Sequence, residues 1–174
     1  RARVVIAGAR AEGLGDVANR LEAEVAAGMR RRQSEASVTQ ATNLLALGRN
    51  DEGRLELERA VSLDPTHARA WLLLADRRRV IRDWAGAEAA LGHIAPGADS
   101  SLAGAAAFMR GMLAFARGDT LGALRAFGES QSLDAGAVQS WSVEARLRAV
   151  RGDVAGAKAV LRRGLEAIPG SPEL

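Results

Sequence analysis

Four places in the chain carry residue types that could do chemistry. Gly13-Leu14-Gly15 followed by Ala18 satisfies a loose G-x-G-x-x-A. Such glycines let a backbone wrap a dinucleotide's pyrophosphate at a helix N-terminus, provided a strand runs straight into them. Here the β-branched run Val4-Val5-Ile6 stops with six residues still to go before Gly13, and no acidic residue ends a second strand downstream. The two histidines, His67 and His93, stand 26 residues apart with no ligand partner at i, i+4; a metal centre needs such neighbours. Ser130 in "FGESQS" follows a glycine but lacks the closing glycine and the strand of a nucleophile elbow. The carboxylates are spread out, and Glu52, Glu56 and Arg59 read as i, i+3/i+4 surface pairs. No pair of carboxylates sits in an apolar setting that would tune one as acid and the other as base. The expectation is no catalytic residue, no metal and no cofactor: a chain that is not an enzyme.

Composition narrows the classes further. The 174 residues suffice for one domain or a short repeat array. There is no cysteine, so structural disulfides and thiolate metal sites are excluded, although the compartment stays open. Lys158 is the single lysine among 24 basic residues, and the net charge is only +3. Arginine's high pKa explains the high isoelectric point. Nucleic-acid binders concentrate more positive charge on one face, and three Trp and three Phe with no Tyr offer few stacking surfaces for bases. RNA binding by helical repeats therefore rests on arginine content alone, and no nucleic-acid partner is expected. No apolar run approaches the ~20 residues that span a bilayer. A start at Arg1 without methionine suggests a piece of a longer protein, and no leader is visible within it.

What positions these residues is a repeat. Gly15-Asp16, Gly48-Arg49, Arg82-Asp83, Gly118-Asp119 and Gly152-Asp153 recur at spacings of 33, 34, 36 and 34. A period near 34 marks a helix–turn–helix unit. Seven residues before each pair stands a small residue: Gly8, Ala41, Ala75, Gly111 or Ala145. Two helical turns separate it from the turn, so it lies on the same face and lets a partner helix come close. Gly53, Ala87, Ala123 and Ala157 follow the turn, and four residues later come Leu57, Leu91, Phe127 and Leu161, one stripe of a second helix. Pro65 and Pro169 close two units, and Trp71 and Trp141 open two first helices 70 residues apart.

The chain resembles the tetratricopeptide repeat (TPR) family, above all in "LALGRNDEGRLELERAVSLDP", "AWLLLADRRRVIRDWAGAEAAL" and "AFMRGMLAFARGDTLGALRAF". The resemblance is strongest over residues 37–169; the unit ending "SLDAG" lacks its proline. It implies an all-α, superhelical solenoid of about five TPR-like repeats, with limits at 1–33, 34–67, 68–103, 104–137 and 138–174. The pattern predicts helices at about 2–13, 17–29, 35–47, 51–63, 68–81, 84–94, 101–116, 120–132, 137–150 and 154–167. The first repeat is the most degenerate, with Val17, Leu21 and Val25 as its stripe. Pro96-Gly97 is expected to end a helix, with Ser100 or Ser101 capping the next. Ser171 and Pro172 read as the start of another helix. Ser130 falls at a small packing position.

In this family first helices line a concave groove. The resemblance places there Val38 and Thr42; Leu72, Asp76 and Arg79; Phe108, Met109, Met112 and Phe115; and Gln139, Val143 and Arg146. Phe108 and Met112 are expected to be exposed, and Met109 and Phe115 to belong to the core. Of Arg77-Arg78-Arg79, Arg79 alone is expected to point into the groove, to meet a partner carboxylate. Arg30-Arg31-Arg32 is read as charge at a helix C-terminus. The lysine, asparagine and arginine with which one subtype grips chaperone tails are absent: Val38, Thr42, Leu73, Ala105 and Met109 stand at those sites. The functional expectation is a protein-binding scaffold of bacterial type that holds a peptide or partner helix. The alternative is a self-assembly or packing module of a larger bacterial enzyme or of a secretion or envelope component.

Overall fold

The computed structural model describes residues 2–95, 97 and 99–174. Among them the chain is all-α, with helices α1 Ala2–Ala11, α2 Gly15–Ala46, α3 Asn50–Leu63, α4 Ala68–Val80, α5 Trp84–Gly92, α6 Ser100–Ala116, α7 Thr120–Leu133, α8 Val138–Val150 and α9 Val154–Ala167. They form two compact units, one up to Ala70 and one from Trp71 on. In the first unit α1 packs on α2 and α2 on α3; in the second α5 packs on α6, α6 on α7, α7 on α8 and α8 on α9. Pro96 lies outside the described residues, so its expected role at a helix end has no counterpart here.

The hairpin turns repeat one backbone device. Gly13, Gly48, Arg82, Gly118 and Gly152 all have positive φ. At each, the following N–H reaches back to a carbonyl of the preceding helix, as in Leu14 to Ala9 at 2.9 Å and Asp119 to Ala114 at 2.9 Å. This is the Schellman closure, which satisfies carbonyls that the helix end leaves open. Arg82 is the one non-glycine among them, at φ 62°; a side chain in that region costs about 1–2 kcal/mol.

The device corrects the first repeat. Its turn is at Gly13, not at Gly15-Asp16: Gly15 already begins α2. Counting from Gly13, the position seven residues earlier is Ile6 and the position five later is Ala18, and both are buried where Gly8 and Val17 are exposed. The buried stripe thus begins at Ala18. Glu22 takes the place held elsewhere by Leu57 or Phe127, and it pairs with Arg10 across the hairpin at 2.9 Å.

A larger correction concerns residues 30–34. The expected break there is absent; α2 runs unbroken for 32 residues, through the expected limit at 33/34. No Gly or Pro interrupts Met29–Leu47, and Arg, Gln and Glu are good helix formers. Arg30, Arg31 and Arg32 therefore lie in mid-helix, exposed, with no C-terminal dipole to complement. Arg31 approaches Asp64 at 3.9 Å. On the covered side of α2 lie Ser34, Ser37, Val38 and Ala41, and the Ser34 hydroxyl donates to the Ala60 carbonyl of α3 at 2.9 Å.

The second helices of the second unit start on aspartates. Asp83, Asp119 and Asp153 each accept a hydrogen bond from the N–H three residues on, at Gly86, Gly122 and Gly156, over 2.8–2.9 Å. A Cβ on any of these glycines would fall 2.0–2.1 Å from the carboxylate oxygen, so D-x-x-G leaves room for the cap. The cap of α6 is Asp99, which accepts from the Ser101 N–H; neither Ser100 nor Ser101 plays that part. Asp64 and Asp134 end α3 and α7 with the same dihedrals, −137° and 93°, although only Asp64 precedes a proline. Each carboxylate accepts from the N–H two residues on, Thr66 and Gly136. This Asx turn makes the missing proline of "SLDAG" dispensable. After α9, Pro172 and Glu173 form a turn rather than a helix, and Leu174 packs with Ile168 on the cluster of Trp141, Ala145, Ala157 and Val160.

The Gly156 N–H, followed by the Arg148 guanidinium, holds the Asp153 carboxyl below the usual carboxylate range. A depressed folded pKa contributes stability that is complete above the unfolded value of about 3.9 and fades as pH falls below it. Melting temperature measured from pH 5 to pH 2 should therefore drop, and drop less in Asp153→Asn. Equal slopes for the two proteins would show that the cap carries no pH-dependent stability.

Candidate functional site

The residues expected to line a groove separate between the two units. Val38 and Thr42 belong to the first. Val38 is only 6% exposed and so forms part of the core instead of a binding surface. The Thr42 hydroxyl is spent on its own helix, donating to the carbonyls of Val38 and Thr39.

In the second unit, α4, α6 and the start of α8 bring six of the expected residues around one concavity: Leu72, Asp76, Arg79, Phe108, Met112 and Gln139, joined by Ala105 and Met109. It holds about 310 Å³. Its α6 wall is apolar and soft, since methionines adapt to many shapes. Phe108 and Met112 are half-buried, not open as expected. Phe108 leans on Phe127 with ring centroids 5.6 Å apart, and Met112 packs on the same cluster of Ala123, Phe127 and Leu147. Met109 is half-buried too, whereas Phe115 is 50% exposed and so lies outside the core where it was expected. The cause is the position of Phe127. It fills the space beside Gly111 and packs with Phe108 and Met112, while Phe115, in the last turn of α6, borders an open hollow against α8.

Arg79 reaches the concavity, but its charge is already engaged. Its Nη2 donates to Asp76 Oδ1 at 2.7 Å, and Arg77 donates to the other oxygen of the same carboxylate. Burial pulls the Asp76 carboxyl up, but hydrogen bonds from Arg77 and Arg79 outweigh it and hold the group below its ordinary range. Arg78 turns the other way, donating to the Gly86 carbonyl at 3.1 Å. Three consecutive residues thus serve two directions, as helical geometry demands.

Val143 and Arg146 line a second, smaller hollow with Phe115, Phe127, Leu147 and Val150. A third, at the other end of α6, is lined by Ser101, Ala105, Phe108, Asp134, Gln139 and Glu173 among others.

The residues tested for chemistry are placed as follows. Ser130 is fully buried and its hydroxyl meets that of Ser140 at 2.6 Å, a packing role. His93 caps α5 and stacks on Trp71, 3.9 Å apart and 8° from parallel. His67 stands half-buried in the link between α3 and α4. Glu52 pairs with Arg49 rather than Arg59, which approaches Glu56 at 3.8 Å. Among the described residues no three His, Asp or Glu side chains gather as a metal site, and no helix is long and apolar enough to cross a membrane.

One group escaped the sequence reading. Glu144 is 2% exposed, accepting from Gln131 Nε2 at 2.6 Å and from Arg148 Nε at 2.9 Å. Arg148 continues to Asp153 at 3.0 Å. The i, i+4 pair Glu144–Arg148 was legible; its burial under α7 was not.

No family model and no curated protein sequence matches the chain. Among solved structures, a crystal structure of MamA superposes with a TM-score of 0.65, covering 92% of this chain and 92% of its own at 19% identity. MamA 41-end from Desulfovibrio magneticus RS-1 gives 0.65 over 98% of this chain and 95% of its own at 15% identity. At such identities the likeness speaks for the fold alone, and that fold, joined to the repeated hairpins above, is TPR-like.

Proposed function

We propose that the chain is a non-catalytic interaction scaffold, and that the face of α6 in its second unit holds a peptide or helix of a partner protein. The observation that carries this is the apolar concavity of Leu72, Phe108, Met109 and Met112, rimmed by Asp76, Arg79 and Gln139. An apolar floor with a few convergent polar groups is the usual make-up of a binding site. Val38 supports it least, being buried; Val143 and Arg146 join it through the hollow beside Phe115. The test is a comparison of wild type with Phe108→Ala, Met112→Ala as baits in a native lysate, after far-UV circular dichroism shows both folded. Partners retained by wild type should be lost by the variant, and unchanged recovery argues against the site. A single-stranded RNA pool should not be shifted at low salt, where a basic binder would hold it.

A second reading, self-assembly or packing within a larger bacterial enzyme or envelope component, is favoured by one observation. The first hairpin leaves Val4, Val5, Val17 and Met29 exposed, 75% in the case of Val4. Light-scattering mass that rises with concentration would favour it over the scaffold reading.

A further inference from the structure

Three hollows of the second unit open along one stripe of α6, formed by Ser101, Ala105, Phe108, Met112 and Phe115. Steps of four and three residues keep these side chains on one face. Phe108 and Phe115, seven residues apart, stand about 10.5 Å apart along the axis at 1.5 Å per residue. The hollow beside Phe115 holds about 130 Å³ and is walled by Phe127, Val143, Leu147 and Val150. An apolar cavity of about 150 Å³ accepts a benzene ring, so this one has room for a single large apolar side chain. Its walls are costly to leave wet: Phe115 is 50% exposed and Val150 82%.

Charge distinguishes the two ends of the stripe. Arg146 is the one charged side chain lining the Phe115 hollow; it is exposed and forms no ion pair among the described residues. Arg79, midway, is already hydrogen-bonded to Asp76, a carboxylate it shares with Arg77. At the Ser101 end the charged groups are Asp134 and Glu173, both acidic. An anionic group on an occupant is therefore repelled at one end, met by a satisfied arginine in the middle and attracted at the other.

Resting on the groove reading above, we infer that the occupant is an amphipathic, acidic helix of a partner protein. It carries two large apolar residues seven positions apart, one against Phe108 and Met112 and one in the Phe115–Val150 hollow. A carboxylate within one turn of the second residue pairs with Arg146. Two turns of an α-helix advance 10.5 Å, about the spacing of Phe108 and Phe115, which is the helix-in-groove mode of recognition.

The test is selection of a displayed library of short peptides on the wild-type protein, repeated on Arg146→Glu, Val150→Glu and the Phe108→Ala, Met112→Ala variant. Val150 is exposed, so its change spares the fold while closing the hollow. Recovered peptides should carry two large apolar residues seven apart and Asp or Glu beside the second. Arg146→Glu should weaken them about tenfold or more and select Lys or Arg instead, as a like charge opposes binding. Val150→Glu should lose the second apolar preference. Peptides with the apolar pair but no acidic bias, binding Arg146→Glu as well as wild type, overturn this inference and leave the groove standing. Apolar residues three apart, the spacing of an extended strand, overturn the helix. No enrichment, or binding indifferent to Phe108→Ala, Met112→Ala, overturns the groove itself.

Discussion

A Phe127→Ala variant should lose about 3–5 kcal/mol of unfolding free energy, the usual cost of emptying a fully buried aromatic site. Phe127 has no exposed surface and sits with Ala123 and Leu147 under Phe108, Met112 and Val143, so no single neighbour can collapse into the space it leaves. Its fit also explains Gly111. The same register holds Ala41, Ala75 and Ala145 in other hairpins, where the residue nine beyond the turn is a leucine. Here that residue is the larger phenylalanine, and a Cβ on Gly111 would lie 2.5 Å from its ring. Gly111→Ala should therefore cost about 1–3 kcal/mol by overpacking. The double variant Gly111→Ala, Phe127→Leu should recover most of that loss, since it restores the alanine–leucine match. Urea unfolding of the two single variants and the double one measures the coupling; strictly additive losses would show that the two positions do not share space.

Glu144→Ala should cost about 2–3 kcal/mol: two hydrogen bonds to a charged group, each contributing about 1.5–3 kcal/mol, are lost, and removal of a buried charge offsets part of that loss. Gln131 would keep only its longer bond to the Ser140 carbonyl, at 3.3 Å, and Arg148 only Asp153. Glu144→Gln, of the same shape without the charge, should cost about half as much. The polar chain Gln131–Glu144–Arg148–Asp153 ties α7, α8 and the turn into α9, so the loss should also speed amide exchange at the α8–α9 turn. A Glu144→Ala protein as stable as wild type would mean that the carboxylate fills space and holds nothing.

Period and turn chemistry were legible in the residues themselves. An interval near 34 and a small residue seven before each of the last four turns follow from two turns of helix meeting a close-packed partner. For that reason the hairpins from Ala41 onward, the burial of Ala75, Ala123 and Ala157, and the packing role of Ser130 were all expected from one chain of letters. The Asp-x-x-Gly caps are equally written there, inside the same Gly-Asp and Arg-Asp pairs that mark the turns. The first turn is harder to place: three glycines lie within eight residues, and only the backbone shows that Gly13 bears the positive φ.

Other features belong to three-dimensional packing alone. Whether residues 29–35 turn or continue depends on whether a partner covers them, since nothing local breaks the helix; the chain continues. Which methionine or phenylalanine of α6 is covered depends on how far the Phe127 ring reaches, a property of the neighbouring helix and not of α6. The state of Arg79 depends on Asp76 and Arg77 sharing one small space, which three arginines in a row cannot announce. Local sequence determines where helices start, stop and show an apolar stripe, because those are contests between neighbours along the chain. Exposure and pairing of a given side chain are decided by atoms far away in sequence, and so only the assembled hairpins settle which residues of α6 are left exposed.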